Sequence, residues 1–165
     1  MGYDVQIERL ELSAVIDLQG SRQALADWVK GALPPFPDAP NSASESNDMS
    51  LYWIAPERWL LRAAIDNEDR LLQMTQPASA PADISIVLVS DTLKFFRIAG
   101  ADAGEIISSA CSMDHHASVF PRNGVSYTSL FGIKGLLIRV TGGFEIAVES
   151  SYADMIADYL ARATG

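Results

Sequence analysis

The chain is short of the parts that most protein chemistry uses. It has one cysteine, Cys111, and two histidines, His115 and His116, which are neighbours. A lone cysteine forms no internal disulfide and no multi-cysteine metal site, and it fits a reducing compartment. Basic residues are scarce: 12 Lys+Arg against 21 Asp+Glu leave a net charge of −9. Such a surface repels a phosphate backbone, which argues against a nucleic-acid partner. Long apolar runs are missing too. Stretches such as Ile86-Val87-Leu88-Val89 are far short of the roughly 20 residues that span a bilayer, so no membrane partner is expected. The start, Met1-Gly2-Tyr3-Asp4-Val5, has neither the basic nor the apolar region of a secretion signal, and Gln6 stands where a myristoylation signal has Ser or Thr. The expectation is a soluble, cytoplasmic protein. No Gly-x-Ser-x-Gly elbow, phosphate loop or Gly-x-Gly-x-x-Gly occurs. Between Asp114 and Glu145 there is no acidic residue at all, and the only charges are Arg122, Lys134 and Arg139.

What is present is globular. The 165 residues are 48% apolar and 20% charged, enough for a core without disulfides or metals. We read 1–165 as a single domain. One stretch breaks the pattern, a Pro/Ser-rich segment at about 34–48 that reads as a mobile loop. A smaller connector spans Pro77 to Asp83.

The rest reads as short strands and helices. Val5, Ile7, Leu10 and Leu12 suggest a strand with a phase slip, read as a bulge. Ser21 caps a helix with Leu25, Trp28 and Val29 on one face. Leu51–Ile54 and Arg58–Ala63 are strands joined at Ala55-Pro56-Glu57, and Asp66 or Asn67 opens a short helix. Ile84, Ile86 and Leu88 alternate, and Ser90-Asp91 turns the chain into another strand over Leu93–Ile98. Gly100 to Ala103 starts a helix carrying Ile106, Ile107 and Ala110. Val125 to Ile133 and Leu136 to Val140 are strands. Gly142-Gly143 is a hairpin turn into the strand of Phe144, Ile146 and Val148, and Ser150 or Ser151 caps a closing helix. Hairpins rather than crossovers join the strands, so the fold class is α+β with antiparallel sheets.

The segment Cys111-Ser112-Met113-Asp114-His115-His116 gathers a thiol, a carboxylate and two imidazoles. Adjacent histidines point apart on a strand, and no further Cys or His completes a tetrahedral site, so no metal site is assigned. Nothing in the surrounding sequence activates the thiol, and no catalytic residue is assigned. The plain reading is a helix-to-strand loop in which Asp114 makes turn hydrogen bonds.

A family pattern emerges from the order of short elements. Ala55-Pro56-Glu57-Arg58-Trp59-Leu60-Leu61 resembles the Gly-Pro-Asp/Glu-x-Trp-Leu-Leu box of sarcosine oxidase gamma subunits, with Ala55 in place of the first glycine. Asp91 through Ile107, Cys111-Ser112-Met113-Asp114, Phe120-Pro121-x-x-Gly124 and Phe144 through Ala153 resemble further elements of that family, in the same order. The pattern is more distantly similar to the folate-binding fold of glycine-cleavage aminomethyltransferases. Those enzymes have a working Asp just after a glycine in a central hairpin, whereas Gly135 here is followed by Leu136-Leu137-Ile138-Arg139.

The resemblance implies a small non-catalytic gamma subunit, acting in assembly or stability of a flavoenzyme complex. Such a complex oxidatively demethylates sarcosine and passes the one-carbon unit to tetrahydrofolate. FAD, FMN, NAD and tetrahydrofolate would belong to the complex and its larger alpha and beta subunits, with none bound by this chain. Trp53, Arg58, Trp59 and Arg62 are the candidate interface, and the isolated chain could hide an apolar patch in a homodimer. The alternative is a freestanding folate-like small-ligand binder without catalysis.

Overall fold

A computed structural model describes residues 2–165. The chain forms two compact units, each with its own sheet and core, where the sequence reading has one domain. The central unit is Leu12–Ser90; the split unit joins the residues up to Glu11 to Asp91–Gly165. Both are α+β with wholly antiparallel sheets, as the hairpin-rich sequence led us to expect.

In the central unit, strands β2 (Ser13–Gln19), β3 (Ala43–Ser46), β4 (Met49–Ala55), β5 (Arg58–Ala64) and β6 (Ser85–Leu88) form a sheet of order β3-β4-β5-β2-β6. Helices α1 (Arg22–Val29) and α2 (Glu68–Thr75) bury Leu25, Val29 and Leu71 among Ile16, Leu18, Leu51, Trp59 and Leu61. Ser21 caps α1 as its position predicts, its hydroxyl accepting from the Ala24 amide at 3.1 Å. Asn67 stands at the start of α2 without a side-chain cap bond.

The split unit holds β1 (Gln6–Arg9), β7 (Leu93–Ala99), β8 (Val125–Leu130), β9 (Ile133–Val140) and β10 (Gly143–Glu149), in the order β1-β7-β10-β9-β8. Helices α3 (Ala103–Ala110) and α4 (Ala153–Ala163) put Ile106, Ile107, Ile156 and Leu160 against Phe96, Ile98, Leu137, Phe144, Ile146 and Val148.

Several readings are corrected. The phase slip between Ile7 and Leu12 is not a bulge: β1 belongs to one sheet and β2 to the other, and the chain passes between units there. The strand expected over Val125 to Ile133 is broken at Phe131-Gly132, which form a tight hairpin turn with φ of 49° and 86°. The second hairpin turns on Thr141-Gly142, not Gly142-Gly143; Gly143 already pairs with Val140. Gly143 is needed there because a Cβ would lie 2.1 Å from the Ile98 carbonyl oxygen. The serines before α4 do not cap it. A single 3₁₀ turn, Ser150–Tyr152, precedes the helix, and the Ser150 hydroxyl donates to the Asp91 carbonyl at 2.6 Å.

The 34–48 segment contains β3, an edge strand that begins after the last proline. Arg22 donates to the carbonyls of Phe36 and Pro37 at 3.0 and 3.2 Å, and Phe36 sets its ring edge-on to Trp59. Among the described residues no helix is long and apolar enough to cross a membrane.

Candidate functional site

The candidate interface residues lie on the β4–β5 hairpin of the central unit. Trp53 and Trp59 are cross-strand partners and stack at 6.0 Å. Alternation along β5 then sends Trp59, Leu61 and Ala63 into the helix-covered core and Arg58, Leu60 and Arg62 to the opposite face. Trp59 is 2% exposed, so its indole is core and is not offered to a partner. Trp53 is half-buried and donates its Nε1 hydrogen to the Ala55 carbonyl at 2.9 Å. Arg58 reaches Asp17 on β2 with Nη2 at 2.7 Å and Nε at 3.2 Å. Arg62 donates from Nε to the Ser13 hydroxyl at 3.0 Å. The hairpin thus brings the tryptophans together and engages both arginines within the unit.

A cavity with a volume of about 720 Å³ lies in the split unit. Three segments build it: the turn from Gly100 into α3 with one face of that helix, the 111–117 loop, and the end of β9 with the turn into β10. The loop is where the sequence gathers its thiol and imidazoles. Cys111 is buried; its sulfur lies 3.4 Å from the Thr128 hydroxyl and accepts from the Met113 amide at 3.4 Å. The Asp114 carboxylate accepts from the His116 amide at 2.9 Å, the turn bond expected of it. His115 sits edge-on to Phe144, with Nδ1 3.3 Å from the Met113 carbonyl oxygen and Nε2 3.5 Å from the Ser108 hydroxyl. His116 Nδ1 lies 2.8 Å from the Ser118 hydroxyl. Thiol and imidazoles therefore serve different neighbours. Among the described residues no three or more His, Cys, Asp or Glu side chains are grouped to hold a metal.

Arg139 fastens this loop, and sequence reasoning did not single it out. It lies on β9, donates from Nε to the Phe120 carbonyl at 2.8 Å and from Nη2 to the His115 carbonyl. Its Cζ stands 4.7 Å from the Phe144 ring centre and 5.6 Å from that of Phe120. Its partners are backbone carbonyls and rings far apart in sequence, so no spacing marked it.

Two antiparallel five-stranded sheets, each with two helices packed on it, make this an α+β protein of paired sheet-and-helix units. The chain belongs to the sarcosine oxidase gamma subunit family, whose model matches residues 20–165. The fold is similar to a chain of heterotetrameric sarcosine oxidase from Corynebacterium sp. U-96 in complex with pyrrole 2-carboxylate: TM-score 0.85, 21% identity, covering 97% of this chain and 83% of that one. It is also similar to the glycine cleavage system aminomethyltransferase T from Bartonella henselae, with TM-score 0.73 and 15% identity. That likeness covers 95% of this chain and 45% of the aminomethyltransferase. At these identities the likeness is one of fold. No curated protein sequence matches the chain.

Proposed function

We propose that this chain is a small, non-catalytic subunit that supports assembly or stability of a sarcosine oxidase-like flavoenzyme complex in the cytoplasm. The observation that carries the reading is the gamma-subunit family match over residues 20–165. The complex would demethylate sarcosine oxidatively and hand the one-carbon unit to tetrahydrofolate. FAD, FMN, NAD and tetrahydrofolate would be held by larger alpha and beta subunits. The local chemistry supports this division of labour, since Cys111, His115 and His116 each hydrogen-bond to neighbours in their own loop or the adjoining strand and helix. The outer edges of β6 and β8, with exposed Val87, Leu88 and Tyr127, favour pairing with another chain, which in isolation would be a second copy.

A freestanding folate-like binder is the second reading, favoured by the cavity of about 720 Å³, a size common for small-ligand sites. One experiment separates the two. The chain is tagged in its own cells and recovered under native conditions, followed by mass spectrometry and a visible absorbance scan. A yellow eluate containing larger oxidase subunits is the expected result. A colourless eluate holding this chain alone would overturn the subunit reading, and titration with reduced folates, read by tryptophan fluorescence, would then test the second.

A further inference from the structure

We propose that the cavity beside α3 binds a small organic monocarboxylate, with Arg139 as the residue that receives the carboxylate. The reading does not rest on the subunit assignment.

The starting point is how the guanidinium is used. Its side-on edge, Nε together with Nη2, is spent on the carbonyls of Phe120 and His115. Its end-on edge, one N–H from each Nη, has no partner among the described residues, and no described carboxylate pairs with it. Two carbonyls and the flanking rings of Phe120 and Phe144 already hold the group in place. The ordering cost of a long side chain is therefore met during folding and not charged against a ligand. A planar fork of two parallel N–H donors matches the two oxygens of a carboxylate.

The walls narrow the choice of anion. Asp114 also lines the cavity, so the site carries a negative group of its own. That disfavours a dianion such as phosphate relative to a single negative charge. The rest of the lining suits an uncharged body: Phe144 and Met113 are apolar, and Gly100, Gly104, Gly142 and Gly143 expose backbone without side chains. A second polar anchor faces the same space. The Met113 carbonyl can only accept, so the tautomer with its proton on Nδ1 satisfies it and leaves Nε2 as an acceptor near the Ser108 hydroxyl, whose own hydrogen goes to the Gly104 carbonyl. A ligand donor can meet it there.

Gly104 supplies a clean way to close the site. A Cβ on it meets only His115 Nε2, at 3.7 Å, and the residue is helical, so a larger side chain fills the space between α3 and the loop without touching the bonds of Arg139. The test uses the full chain and benzoate as probe, followed by ¹H–¹⁵N NMR, with inorganic phosphate in a parallel titration. The expected result is saturable shifts at the Arg139 Nε–H and at the amides of Gly104 and His115 with benzoate, and no saturable shift with phosphate. Gly104→Leu should keep the native spectrum and weaken benzoate binding by roughly tenfold or more. Arg139→Gln should abolish saturation, but it also loosens the loop, so Gly104→Leu decides. Absence of saturable shifts with benzoate, unchanged affinity in Gly104→Leu, or phosphate binding as well as benzoate would each overturn the proposal. None of these outcomes touches association with larger subunits, which the native recovery reads separately.

Discussion

The Asp17 carboxylate and the Arg58 guanidinium meet diagonally across β2 and β5 at 2.7 Å, and they are unequally covered: the carboxylate is 10% exposed and the guanidinium side chain 46%. The covered partner has more to lose. If Arg58 is removed, the Asp17 carboxylate is left in a site with little water; if Asp17 is removed, the half-exposed Arg58 side chain still reaches solvent. We expect Arg58→Ala to cost about 2–3 kcal/mol and Asp17→Ala only about 1 kcal/mol. Urea unfolding of both variants checks the order, and equal costs would count against it.

Trp59 tests the reading of the β4–β5 hairpin as core. Trp59→Ala should lose roughly 3–5 kcal/mol, the cost of emptying a large buried site. Its Nε1–H has no hydrogen-bond partner among the described residues. Trp59→Phe therefore removes a buried unpaired donor along with some ring area, and should stay within about 1.5 kcal/mol of the parent. Thermal unfolding followed by circular dichroism distinguishes these values. A mild effect for the alanine variant would instead return Trp59 to the list of surface residues.

Two glycines should respond with opposite signs. Gly143→Ala drives a methyl into the Ile98 carbonyl at 2.1 Å, backbone against backbone, and should destabilise by about 3 kcal/mol or more. Gly104→Ala adds a methyl in helix α3 with only ordinary contact, and should stabilise by about 0.5–1 kcal/mol. A differential scanning comparison of the pair with the parent reads both at once.

Glu57 sits exposed in the β4–β5 turn with φ of 53°, a conformation in which its Cβ is strained. Glu57→Gly should raise stability by about 1 kcal/mol. A fall in melting temperature would mean that the Glu57 side chain contributes something other than strain.

Positions such as Glu57 also explain where the sequence was hard to read. Short apolar runs between turn residues marked the strands of Leu51, Arg58 and Leu93 nearly to their ends, alternation marked that of Phe144, and Ser21 marked α1 outright. The misses fall where a residue sits against its preference. Phe131 takes a positive φ that aromatic residues avoid, so the β8–β9 turn carried no turn signature and read as continuous strand. In β9, Leu136, Leu137 and Ile138 are all buried, which erases the alternation that would have marked the strand's phase. The passage of the chain from one sheet to the other at Leu10–Leu12 has no punctuation, because neither Pro nor Gly is needed there. Of the cavity, the loop from Cys111 to His116 was visible as a cluster of reactive side chains. Its organiser was not, because Arg139 binds carbonyls and rings, and such partners leave no spacing pattern. Family resemblance reached further than periodicity, because the order of several weak elements is more specific than any one of them.

The split unit has a consequence for how this protein is made. Its first strand, β1, is synthesised well before β7, which pairs with it through Ile7 and Ile98. The 79 residues of Leu12–Ser90 come between, and they form a unit whose ends are already tied, the Val89 amide donating to the Val15 carbonyl at 2.8 Å. Vectorial synthesis therefore favours an order in which the middle of the chain matures first and the two ends find each other last. A chain truncated after Ser90 would carry a complete central unit and an orphan leading strand. The same arrangement makes the centre a self-contained cassette, one that evolution could have exchanged without recutting the sheet around it.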